Sequence, residues 1–169
     1  MTRDEYLTLR SKFTPKPVRL VIVAESPPTN GTYFYNPDGK ITEWLFAALM
    51  LQLDHKPTTK EDGLRELQRR GWVLVDATYD PVNDEKSKKK RNAVILRDYP
   101  LLRADLEKML PDKSTPIILI KVNVCRQLEP MLKEDGFNVL NRGCAVSFPS
   151  HGRQPEFHEQ FGPILKSLE

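Results

Sequence analysis

The chain has 169 residues, 39% hydrophobic and 29% charged, with a net charge of +3. That is the balance of one folded domain, which at this size buries roughly two-thirds of the surface its unfolded chain exposes and needs no covalent staples. The two cysteines, Cys125 and Cys144, make neither a disulfide scaffold nor a four-thiolate metal site, and no C-x-x-C or H-x-x-x-H pair suggests zinc. No apolar run approaches the ~20 residues of a membrane span. Met1 to Arg10 is charged and polar, unlike a secretory leader, so a cytoplasmic location is expected.

Val18 to Ala24 (VRLVIVA) is the first expected strand. Ile41 to Leu53 follows as an apolar, buried helix. Thr59 with Lys60-Glu61-Asp62 opens a second helix that Gly71 stops near Arg70. Trp72 to Thr78 (WVLVDAT) reads as the second strand. Lys88 to Met109 reads as a long helix that Pro100 breaks or kinks, behind a polar stretch, Asp80 to Lys90, expected to be the least ordered. Pro116 to Val122 (PIILIKV) is the third strand, and Arg126 to Lys133 a helix. Phe137 to Leu140 is a fourth strand that could resume at Cys144 to Ser147. Pro155 to Leu168 is the last helix, with Pro and Glu in its first turn. Strands apolar on both faces suit a parallel sheet covered by helices. The expected fold is α/β, a three-layer α/β/α sandwich on a mostly parallel four-stranded sheet, in a single domain spanning 1–169.

Ligands of such sheets bind outside the carboxyl ends of the strands, which selects four segments. Glu25 to Asn36 holds Glu25, Ser26, two prolines and the aromatics Tyr33, Phe34 and Tyr35, flat faces for a base or sugar; alternatively they only cap the core. Asp76 to Asn83 begins with a carboxylate in an apolar strand, costly unless paired or used; it could also accept N–H groups of a nearby loop. Asn123 to Gln127 follows the third strand. Phe148 to Gln154 leads into the last helix with Pro149, Ser150, His151, Gly152 and Arg153. Its hydroxyl, free N–H groups and guanidinium suit a phosphate, and the plain alternative is a helix N-cap. The run Lys86 to Arg91 is either a phosphate-tracking patch or a solvated face. No G-x-x-x-x-G-K-[ST], no G-x-G-x-x-G after the first strand and no G-x-S-x-G occurs, which argues against a triphosphate motor, a dinucleotide oxidoreductase and a serine hydrolase.

Taken in order, Ala24-Glu25-Ser26-Pro27-Pro28, Val75-Asp76, Ile117 to Lys121 and Phe148-Pro149-Ser150-His151-Gly152-Arg153 resemble the motifs of the uracil-DNA glycosylase superfamily, from about Val18 to Leu168. Those are a G-x-x-P-type loop after the first strand, a Leu-Asn-type tip on the second, a short apolar third strand and a His-Pro-Ser loop before the last helix. The resemblance implies base excision in DNA repair, by a hydrolase that extrudes a deaminated or damaged base and cleaves its N-glycosidic bond. Glu25 and Ser26 stand in the water-activating loop, where several members carry Asp or Asn at the Ser26 position. Asp76 stands where an Asn reads the base. Phe34, or Tyr33 or Tyr35 beside it, would form the stacking floor. Phe148 stands in place of the family's catalytic His, with His151 three residues on as a substitute. Pro149, Ser150, Gly152 and Arg153 match the region that grips DNA. Two cysteines exclude the iron–sulfur branch, and no cofactor or metal is called for.

The expected partner is DNA, single- or double-stranded, bound by a monomer. One alternative is the same fold without catalysis, holding nucleic acid or a nucleotide through Ser150, His151, Arg153 and Lys88 to Arg91. Another is the scaffold alone, with a small-molecule or protein partner.

Overall fold

Five consecutive residues with no polar atom in their side chains, LVIVA, make β1 (Leu20–Ala24), and all five are buried. β1 pairs in parallel with β2 (Trp72–Asp76) on one side and β3 (Pro116–Leu119) on the other: Val21 faces Val73 and Ile117. A short β4 (Asn138–Val139) joins the far side of β3, so the order is β2-β1-β3-β4 and every pair is parallel. The computed structural model describes residues 1–168.

The helices are α1 (Arg3–Ser11), α2 (Trp44–Gln52), α3 (Lys60–Arg70), α4 (Lys88–Met109), α5 (Val122–Glu134) and α6 (Gln154–Lys166). From β1 the chain steps one way to β2, then crosses back over β1 to β3 and on to β4. With right-handed crossovers, this reversal puts α2 and α3 on one face and α4 and α5 on the other. The observed α2–α6 and α4–α5 packings are the pairings that rule demands. The result is a three-layer α/β/α sandwich whose core runs through the sheet, from Phe46 and Phe157 to Ile95 and Leu128. Among the described residues no helix is long and apolar enough to cross a membrane.

Four local features differ from the sequence reading. Met1 to Arg10, to which the sequence reading gave no element, holds most of α1: Thr2 caps the helix, its hydroxyl accepting from the Glu5 N–H (3.2 Å) while the Glu5 carboxylate accepts from the Thr2 N–H (2.6 Å). The third strand stops early because Lys121 turns to φ 77°, although the Ile120 N–H still reaches the Val23 carbonyl at 2.9 Å. Cys144 to Ser147 forms no strand; it lies beside the end of β3, where Val146 O accepts from the Lys121 N–H at 2.7 Å. Finally, α4 runs unbroken through Pro100. The missing proline N–H would have met the carbonyl of Leu96, an exposed residue, where water can replace it.

Candidate functional site

The sheet order changes direction between β1 and β3, and the carboxyl ends of those strands open onto a cleft of about 570 Å³. The cleft gathers Glu25, Ser26, Tyr33, Phe34 and Asp76 from the first two strand ends with Ser150 and His151 from the last loop. Tyr35, Pro149, Gly152 and Arg153 do not line it. Tyr35 is 1% exposed, and its hydroxyl accepts from the Leu74 N–H at 2.7 Å, so this aromatic belongs to the core. Pro149 is buried behind the rim, and Gly152 and Arg153 lie on the exposed turn beyond it.

Glu25 leaves the tip of β1 at the switch point, 4% exposed. One carboxylate oxygen accepts from Arg91 Nη2 (2.6 Å) and Lys121 Nζ (2.5 Å), and the other from Asn123 Nδ2 (2.6 Å). Burial alone would raise its pKa, but these donors outweigh burial and hold the group below its ordinary value. Glu25 is therefore ionised and weakly basic, and its second oxygen has one lone pair still open. Lys121 is also pushed down, because burial outweighs its pairing with Glu25.

Asp76 pairs with Ala24 across the strands and is 5% exposed. Among the described residues no protein donor reaches its carboxyl oxygens, so the neighbouring loop does not satisfy it. Burial pushes its pKa up to about 7; Arg10 works against that shift and the negative Glu25 adds to it. A carboxyl group that keeps its proton to neutrality can donate as well as accept, as an amide does.

Aromatic side chains form one wall. Phe34 is half-buried, edge-on to Tyr35 at 5.1 Å and backed by Phe46 at 6.1 Å. Tyr33 is nearly covered by Tyr6 of α1 at 4.8 Å, which leaves Phe34 the more open of the two. Lys60, fully buried, holds this wall in place by donating to Tyr33 O and to the Glu43 carboxylate, each at 2.8 Å. Ser26 Oγ accepts from the Val82 N–H (3.2 Å), and Thr29 is bonded to Asn83 and Asp84, so the loops after β1 and β2 are laced together.

On the opposite rim His151, exposed and at φ 48°, lies 4.6 Å from the ring of Trp44. Ser150 does not cap α6, whose N-cap, Arg153, makes no side-chain capping bond. Ser150 stays at the cleft edge, available to a ligand. No group of three or more His, Cys, Asp or Glu among the described residues converges to hold a metal.

Sequence reasoning passed over Trp44, Arg91 as an inward-facing group and Lys121, and it selected the segment that starts at Asn123 without giving that residue a role. Lys121 did carry a signal: it is the only charge in PIILIKV. Arg91 was hidden as the last residue of a basic run. No protein-family profile matches this sequence, and no curated protein matches it.

Proposed function

We propose that this cleft receives a base swung out of a DNA strand, and that the protein hydrolyses the N-glycosidic bond of a deaminated or damaged base. The observation that carries the reading is Asp76, a buried carboxyl that holds a proton to about pH 7, has no partner among the described residues and faces a cleft walled by Phe34. The base stacks on Phe34, and neutral Asp76 both donates to and accepts from its edge. As the bond from C1′ to the base nitrogen breaks, its electron pair goes to the base and Asp76 supplies the stabilising proton. A water held on the open lone pair of Glu25 adds to C1′ and loses its proton to solvent, and Asp76 is reprotonated from solvent. Lys121 and Arg91, fixed by Glu25, keep positive potential near the negative charge that develops on the base before the proton is transferred.

One observation favours a second reading, a module that binds without catalysis: Glu25 already accepts from three side chains. Single-turnover base release from single- and double-stranded oligonucleotides carrying uracil, hypoxanthine or xanthine separates the two. Catalysis predicts release that falls about 10²- to 10³-fold in Asp76→Ala. Salt-sensitive binding with no release selects the binding module, and the absence of both removes the two readings together.

A further inference from the structure

Trp44 is the first residue of α2, and it takes no part in the core: the helix buries Leu45, Phe46, Ala48, Leu49 and Met50, while Trp44 stays 48% exposed. A large aromatic ring thus stands half in water at the mouth of the cleft. The backbone that carries it is tied down on both sides, and one neighbour meets the ring. Gln154 Nε2 donates to the Trp44 carbonyl (3.1 Å) and to the Pro149 carbonyl (2.9 Å), tying α2 to the last loop. Glu43, the preceding residue, is fixed by Lys60 (2.8 Å) and by the Lys40 N–H (2.7 Å). His151 meets the indole at 58°, so it braces the ring without lying flat over it. An open aromatic surface on a fixed backbone, braced by one neighbouring ring, binds a second ring at a reduced ordering cost.

Resting on the reading of the cleft as a base pocket, we propose that Trp44 stacks the base next to the one in the cleft, so that the ligand is a single-stranded stretch of at least two nucleotides. The cleft and the indole share one rim, Trp44 and His151 lining both, so adjacent nucleotides occupy the two positions. Stacking on Trp44 needs a base with a free face. In a duplex both faces of every internal base are covered, whereas a single strand offers them at no unpairing cost. The ring contact is indifferent to base identity, because every base has a π-face.

The test is binding of a single-stranded oligothymidylate, and of its duplex with oligoadenylate, to the whole chain. Trp44 emission is followed in a Trp72→Phe background, which leaves one indole reporting. Quenching by the single strand, tighter binding of the single strand than of the duplex, and a loss of about 5- to 150-fold in Trp44→Ala, as for one base–aromatic stack, support the proposal. Trp44→Phe should retain most of the affinity, and the salt dependence should not change, since no ion pair is lost. Unquenched emission with full affinity in Trp44→Ala, or equal binding of the duplex, overturns it while leaving the base pocket standing. If neither nucleic acid binds by an independent measurement, the reading of the cleft itself is lost. The quenching experiment does not depend on the Ala variant folding.

Discussion

Asp76 and Glu25 stand at the ends of neighbouring strands, yet their surroundings drive their protons in opposite directions. Glu25 has three donors and stays charged. Asp76 has none among the described residues, and burial raises it from 3.8 to about 7. Between those values the native state keeps the proton and the unfolded state has lost it. Stability should therefore fall as pH rises from about 4 to about 7, then level off. At ~1.4 kcal/mol per pKa unit the full drop is on the order of 4 kcal/mol. His158, pushed down by burial, tilts stability the other way near neutrality, so the difference between wild type and Asp76→Asn isolates the carboxyl. Urea unfolding at about pH 5 and about pH 8 should find the variant gaining on the wild type at the higher pH; an equal change in both proteins would refute the buried acid. Base release should decline as pH rises through about 7, because the protonated form is the one that assists the leaving base. Glu25→Gln has the opposite character. It leaves Arg91 and Lys121 crowded without their anion, and breaking such a buried pair costs about 3–5 kcal/mol; a denaturation midpoint close to wild type would show that Glu25 does not organise the switch point.

Between elements, the wall that carries Phe34 depends on how closely α3 lies against α2. A Cβ added at Gly63 would come within 2.3 Å of Phe46 Cζ and 2.9 Å of Met50 Sδ. Gly63→Ala should then cost about 1–3 kcal/mol by overpacking, despite the better helix propensity of alanine; an unchanged or raised melting temperature would mean that the two helices part freely. The same contacts explain what could be read in advance. LVIVA, WVLVD and PIIL are apolar on both faces, and that pattern has one common solution, a covered parallel sheet, so the strands and the segments that follow them were legible. Seven of the expected site residues line one cleft: five reach it from the ends of β1 and β2, which topology brings together, while Ser150 and His151 reach it from the loop before α6, where the expected strand is absent. α1 was not legible from periodicity, because its inner face includes Arg10, which pairs with Asp105 at 2.7 Å on α4 and is polar in any pattern. Only the Thr2-x-x-Glu5 capping box marked it. Tyr33, Phe34 and Tyr35 look equivalent in sequence, yet β2 takes the Tyr35 hydroxyl and α1 covers Tyr33. Which of three adjacent rings faces out is set by distant partners and not by its neighbours in the chain.

At the scale of the whole molecule, charge is placed where it costs stability. Lys88, Lys89 and Lys90 are exposed in the first turn of α4, and that turn contains no acidic residue. The N-terminal end of a helix carries a partial positive charge, so each lysine there is unfavourable by about 0.3–1 kcal/mol. Arg91, next in sequence, turns inward to Glu25, and Asn83 and Asp84 of the preceding loop line the cleft, so the exposed lysines lie in sequence between two segments that reach the site. A cluster kept against the helix dipole and between those segments is suited to a polyanion tracking toward the cleft. Replacing all three lysines by glutamine brings the net charge from +3 to zero. It should raise stability by about 1 kcal/mol or more by relieving the dipole. It should also weaken oligonucleotide binding and make the slope of log K against log salt shallower by about 0.7 for each lost phosphate contact on a single strand. The two effects have opposite signs, which distinguishes this arrangement from a merely solvated face: a variant that gains stability while keeping its affinity and salt slope shows that the lysines serve no polyanion, whereas one that gains stability and loses both shows that folding stability is traded for electrostatic capture at the cleft.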